Sequence, residues 1–138
     1  MKNKIKNTQR YNFLSALFAF LLWGSWSFYI NMSQGSLKAG IISGLAQGIC
    51  SFIITLFITH LVEKQFNFYQ NTFLKLILPP ICTIVLTGSV LLLVHSLIHT
   101  PAILKTVAPA LTVALIFAFF TNFKLYKQYQ NIENSKDI

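Results

Sequence analysis

Residues 39–62 read AGIISGLAQGICSFIITLFITHLV, twenty-four positions without a charged side chain. A hydrocarbon layer about 30 Å thick takes about 20 apolar residues to cross as a helix, so this stretch holds one transmembrane span. Within it Gly40, Gly44 and Gly48 recur every four residues, and Ser43, Gln47, Ser51, Thr55 and Thr59 form a second row at the same spacing. Residues four apart stack on one helix face. Lipid gives helices no hydrophobic reason to associate, so they join through close backbone packing and interhelical hydrogen bonds. The glycine row suits the first and the polar row the second. This face is expected to pack on helix 1, on helix 4 or on a second copy of the chain. Gln47 either joins that packing or lines a polar cavity that meets a ligand head group.

Working outward, charge-free runs also fill 11–37, 76–104 and 106–123, separated from their neighbours by Lys38, Glu63, Lys64, Lys75 and Lys105. Each can cross once. The expected architecture is an all-α membrane protein, a bundle of four helices over about 13–32, 39–62, 78–98 and 106–124. These form one domain over 13–126, flanked by a basic tail (1–12) and a polar tail (127–138). With 54% hydrophobic and 10% charged side chains, the chain lies far below the roughly 25% charge of soluble domains. The net charge of +8 does not indicate nucleic acid, because the basic residues flank the spans and form no stripe or patch.

Those flanks set orientation through the excess of Lys and Arg in short cytoplasmic segments. Lys2, Lys4, Lys6, Arg10, Lys64, Lys75, Lys124, Lys127 and Lys136 fall on one side, Lys38 and Lys105 on the other. Both termini are therefore expected in the cytoplasm. The basic start and Phe13–Leu22 have the pattern of a signal peptide, but the apolar stretch continues through Trp26 and Tyr29 and no Ala-x-Ala site follows. An uncleaved first helix is expected.

Other spans carry similar rows. Helix 4 has Ala110, Ala114 and Ala118 with Asn122 completing the row, helix 3 has Thr83, Thr87, His95 and His99, and helix 1 has Ser15, Ala19, Ser27 and Asn31. Pro79-Pro80 is expected to open helix 3, and Pro109 to sit in the first turn of helix 4, where a missing N–H costs little. Cys50 and Cys82 fall inside spans without a CxxC pairing and are expected to serve as small hydrophobes.

No Asp, Glu, Lys or Arg lies inside any span, whereas ion and proton pathways usually carry one. Small multidrug exporters share the size and the four helices but rely on a glutamate in the first helix, which is missing here. No P-loop, GxSxG or HExxH occurs. No catalytic residue, metal or cofactor is expected, and the chain reads as a non-enzyme.

The end of helix 4, VALIFAFFTNFKLYK over 113–127, has a small-and-aromatic helix running into Asn122 and then alternating basic and aromatic residues. It resembles the last helix of the GtrA-like family of small four-helix membrane proteins. The resemblance implies a bacterial inner-membrane protein that helps move polyprenyl-phosphate-linked sugars for surface polysaccharide synthesis, working beside a membrane glycosyltransferase. It carries over Asn122, Lys124 and Lys127 as head-group contacts, with Gln47 as an added hydrogen-bonding candidate. The other reading is a non-catalytic assembly subunit that holds a larger membrane partner, or another copy, through the glycine row of helix 2.

Overall fold

A computed structural model describes residues 9–138 as four helices without a strand among them: α1 (Gln9–Gln34), α2 (Leu37–Phe68), α3 (Thr72–Leu97) and α4 (Ile103–Lys136). All four are long and apolar enough to cross a membrane. The chain is a four-helix, multi-pass membrane protein. The basic residues Lys2, Lys4 and Lys6, which contribute to the expected orientation, lie outside the described residues. An even number of spans puts the start of α1, the α2–α3 turn and α4's last residues at one end, here the terminal end. The α1–α2 and α3–α4 turns form the other, the loop end.

α2 and α4 are longer than their charge-free runs. At 1.5 Å per residue, α2 and α4, with 32 and 34 residues, reach about 48 and 51 Å, well beyond one hydrocarbon layer. Glu63 and Lys64 do not stop α2, because charges end an apolar run without breaking a helix. What holds the extension is a cluster of Ile58, Val62, Phe66, Ala118 and Leu125, against which Tyr126, Tyr129 and Ile132 pack. The segment expected as a polar tail from residue 127 is therefore helical through Lys136.

α1 and α2 meet backbone to backbone. A Cβ added to Gly44 would lie 2.9 Å from Phe28 Cβ and 3.1 Å from the Gly24 carbonyl oxygen, and one added to Gly40 would lie 2.9 Å from Met32 Cβ. Gly48 faces Phe20 in the same way. Of the partners open to the glycine row, α1 of the same chain takes it. The polar row beside it, from Ser43 to Thr59, is buried at all five positions.

The prolines correct the expected helix starts. Pro79 and Pro80 lie inside α3, which begins at Thr72 under an Asn71 cap whose Oδ1 accepts from the Phe73 and Leu74 N–H groups. Pro109 is the seventh residue of α4, outside its first turn. A proline in a helix interior leaves the carbonyl four residues earlier without its N–H. Here those carbonyls belong to Lys75, Leu76 and Lys105, and each finds a side-chain donor from another helix. Asn122 Nδ2 donates to Lys75 O at 3.0 Å and Leu76 O at 2.9 Å, while Trp26 Nε1 donates to Lys105 O at 3.0 Å. That substitution is what allows these helices to run through their prolines.

Candidate functional site

The residues singled out from sequence separate into two places. Gln47 sits near the loop end against α3. Asn122, Lys124 and Lys127 sit at the terminal end of α4.

At the loop end the polar rows of α2 and α3 face each other. His95, fully buried, places Nε2 2.5 Å from Gln47 Oε1 and Nδ1 2.7 Å from Thr100 Oγ1. Gln47 Oε1 only accepts, so Nε2 carries a proton, and in the neutral ring Nδ1 accepts from the Thr100 hydroxyl. Ser43 Oγ donates on to Thr100 Oγ1 at 3.4 Å, and Gln47 Nε2 donates to Ser51 Oγ at 3.2 Å. The result is one hydrogen-bonded chain: Ser43, Thr100, His95, Gln47, Ser51.

Local backbone geometry places Thr100 in that chain. α3 ends with His99 N–H on Ser96 O and Thr100 N–H on His95 O, at 3.2 and 3.0 Å. This is the paired reverse bonding of a Schellman end, which needs a left-handed residue and usually takes glycine. His99 occupies it at φ 54°. That turn folds Thr100 back over His95, whereas His99, expected on the same helix face as His95, lies past the end of α3 and is exposed.

A separate cluster joins α1 to α4. Asn31 Nδ2 donates to Thr106 Oγ1 at 2.8 Å and to Ser27 O at 2.8 Å, and its Oδ1 accepts from the Ala102 N–H at 3.0 Å. Ala102 stands at the start of α4 without a side-chain cap of its own, so Asn31 caps α4 from another helix.

Between this joint and the terminal end, α1 and α4 part. A cleft of about 280 Å³ opens there, mostly apolar, reaching from Tyr11 to Trp23 on α1 and from Ala110 to Phe120 on α4. Ser15, Ser51 and Thr55 are the polar residues on its wall, and Leu91, one turn from His95, reaches it from α3. Ala110 and Ala114 line this cleft, whereas Ala118 packs in the core. Tyr11 stacks on Phe117 at 6.1 Å, and the Lys124 ammonium sits 3.8 Å over the Tyr11 ring. A cation thus stands at the terminal end of an apolar groove, held by the attraction between ammonium and ring face. Lys127, exposed, lies 5.2 Å over Phe123. Lys75, a basic residue at the same end, is buried between Phe66 and Tyr129, 4.7 and 4.2 Å from the ring centres.

Asn122 is committed to the fold by the two α3 carbonyls, but only through its nitrogen. Its Oδ1, with Thr121 Oγ1 and Asn12 Oδ1, is buried at the terminal end with no hydrogen-bond partner among the described residues. Among those residues no three His, Cys, Asp or Glu side chains gather as a metal site. The His95–Gln47 pairing had a sequence signal, two polar rows at four-residue spacing on consecutive spans, although their register is not in the sequence. Comparison with protein-family models, curated proteins and solved structures gives no match.

Proposed function

We propose that the protein is a non-enzymatic component of a bacterial inner membrane, with both termini in the cytoplasm. It handles a polyprenyl-phosphate-linked sugar alongside a membrane glycosyltransferase, in the manner of the GtrA-like proteins that its last helix resembles. The observation that carries this reading is the cleft between α1 and α4 with Lys124 at its terminal end. An isoprenoid tail suits a groove walled by Leu22, Ile54 and Phe117. A phosphate suits an ammonium at the membrane surface, where a charged contact is stronger than a neutral one. The carboxamide oxygens of Asn12 and Asn122 and the Thr121 hydroxyl are buried and do not line the cleft, so the head-group contact rests on Lys124. The assembly-subunit reading drew on the glycine row, and α1 already occupies that row.

Binding of a polyprenyl-phosphoryl sugar to the purified protein in nanodiscs, compared with the uncharged polyprenol, tests the proposal. The phosphorylated ligand is expected to bind more tightly, Lys124→Ala to remove most of that preference, and Ala114→Leu to block both ligands by filling the groove. Equal binding of charged and uncharged ligands, or none of either, overturns it.

A further inference from the structure

The chain Ser43, Thr100, His95, Gln47, Ser51 joins two openings. Ser43 lines a pocket of about 210 Å³ at the loop end, shared with Lys38 and His99, and Ser51 lines the α1–α4 cleft. We propose that His95 is a proton-binding site loaded from the loop-end pocket through Ser43 and Thr100, and that its protonated ring is a second cationic station for the anionic head group in the cleft. This rests on the cleft reading above.

The path runs one way. Thr100 Oγ1 passes its proton to His95 Nδ1 and takes the proton of Ser43 Oγ, which takes one from solvent in the pocket. One N–H bond forms, each hydroxyl loses one proton and gains one, and the net change is a single positive charge on the ring. Nε2–H keeps its bond to Gln47 throughout. Beyond Nε2 the path stops, because the Gln47 carboxamide does not exchange protons as a hydroxyl does. Gln47 therefore separates the proton from the cleft while its amide fixes Ser51 on the cleft wall.

A charge at this position has no anion waiting for it. The groups that meet it are Ser43, Gln47 and Ser51 of α2 and Thr100 of the turn. From α1 and α4 the buried polar groups near this end are Ser27, Asn31 and Thr106. None of these titrates. The ionisable groups nearby are Lys38, His99 and Lys105, all exposed and none of them anionic. An unpaired charge within a bundle is costly, so an imidazolium at His95 calls for an anion from outside the chain. The cleft comes within one helical turn of the ring at Leu91. Lys124 stands at the terminal end of the groove, and the His95 ring, one turn from Leu91 and behind the Gln47–Ser51 pair, acts on a head group in the groove through its field and not by contact. Protonation and anion binding must favour each other equally, as any two coupled sites do.

The test uses the full chain in nanodiscs with a polyprenyl-phosphoryl sugar, a phosphodiester whose charge stays constant across the range. Affinity is expected to rise about tenfold as pH falls from about 7.5 to about 5.5, within the ordinary span of coupling between sites. His95→Gln, which keeps donor and acceptor capacity, and Thr100→Val, which removes the relay, are both expected to flatten that dependence. In the unsubstituted protein, ring ¹⁵N NMR reads the same event: His95 should carry its proton on Nε2 at the higher pH and on both nitrogens at the lower pH with ligand bound. Tight binding independent of pH, or a ring that stays neutral with ligand bound, overturns the proton site and leaves the cleft reading standing. Absence of binding at every pH overturns both.

Discussion

α1 and α3 each pack on a neighbour, by opposite means. α1 meets α2 through glycines, with main chain against main chain. α3 is held by side chains: His95 on Gln47 and Thr83 receiving Gln65 Nε2 at 3.0 Å toward α2, and two carbonyls on Asn122 toward α4. The first contact tolerates no added atom but makes no demand on chemistry. The second tolerates volume but depends on each donor finding its acceptor. In lipid both substitute for the missing hydrophobic drive. The glycine seam has one arrangement, and the polar seat of α3 has hydroxyls and a ring that can change hydrogen-bond direction without moving the helices.

The sharpest way to break the comparison is Gly44→Leu. The first added carbon already falls within 2.9 Å of Phe28 Cβ, and three more follow, so α1 must leave its seat. The expected loss lies at or above the top of the range of about 1–3 kcal/mol seen for overpacking. Thermal unfolding in detergent, followed by intrinsic tryptophan fluorescence from Trp23 and Trp26, would show it. Unchanged stability would mean that the seam is looser than the glycine contacts imply.

Asn122→Leu comes next. It keeps the branched shape and heavy-atom count but strands the Lys75 and Leu76 carbonyls, each worth about 1–3 kcal/mol when buried and unsatisfied. The same melts should show a loss of about 2 kcal/mol, the low end for two such groups, because the partnerless Asn122 Oδ1 is removed as well. Combining it with Pro79→Ala and Pro80→Ala, which return the N–H groups to α3, should recover most of the loss. Failure of the triple variant to recover would show that Asn122 acts through something other than those carbonyls.

Gly88→Ala is the smallest and sharpens the contrast. Its Cβ would meet only the movable tip of Leu111, at 3.2 and 3.3 Å. Relief of the glycine's helix cost, about 0.8–1.0 kcal/mol, should offset the small shift of that tip. The expected change in stability is therefore close to zero or slightly favourable. A loss as large as that of Gly44→Leu would put α3 and α4 in the same tight class as α1 and α2.

These differences also mark what the sequence could and could not reveal. The four spans follow from charge-free runs, because charge in lipid is costly wherever the helix goes. The Gly40, Gly44 and Gly48 row was legible as a close contact, since only glycine spacing is needed to see it. Which helix it would meet was open until the fold brought α1 to it. Pro79 and Pro80 were misread as a helix start, because their remedy lies at Asn122, more than forty residues away. The ends of α2 and α4 ran past Glu63 and Lys124, because Phe66 and Tyr129 pack outside the apolar runs. At the candidate site, Lys124 was visible as a basic residue after an apolar helix, but its seat on Tyr11 depends on how α1 and α4 come together. Gln47 stood out on its row, and its partner His95 emerged only with the register of two helices.

The proline gaps reach back to how the chain is made. α3 alone in lipid would hold the Lys75 and Leu76 carbonyls open to hydrocarbon, where each unsatisfied group is expensive. Asn122, which donates to both, is on α4, the span that follows α3 in the chain. α4 in turn has its own open carbonyl at Lys105, which Trp26 of the first span closes. Insertion that brings α4 to α3, and α1 to α4, before these carbonyls face lipid is therefore favoured. Release of α3 into the bilayer apart from α4 is disfavoured.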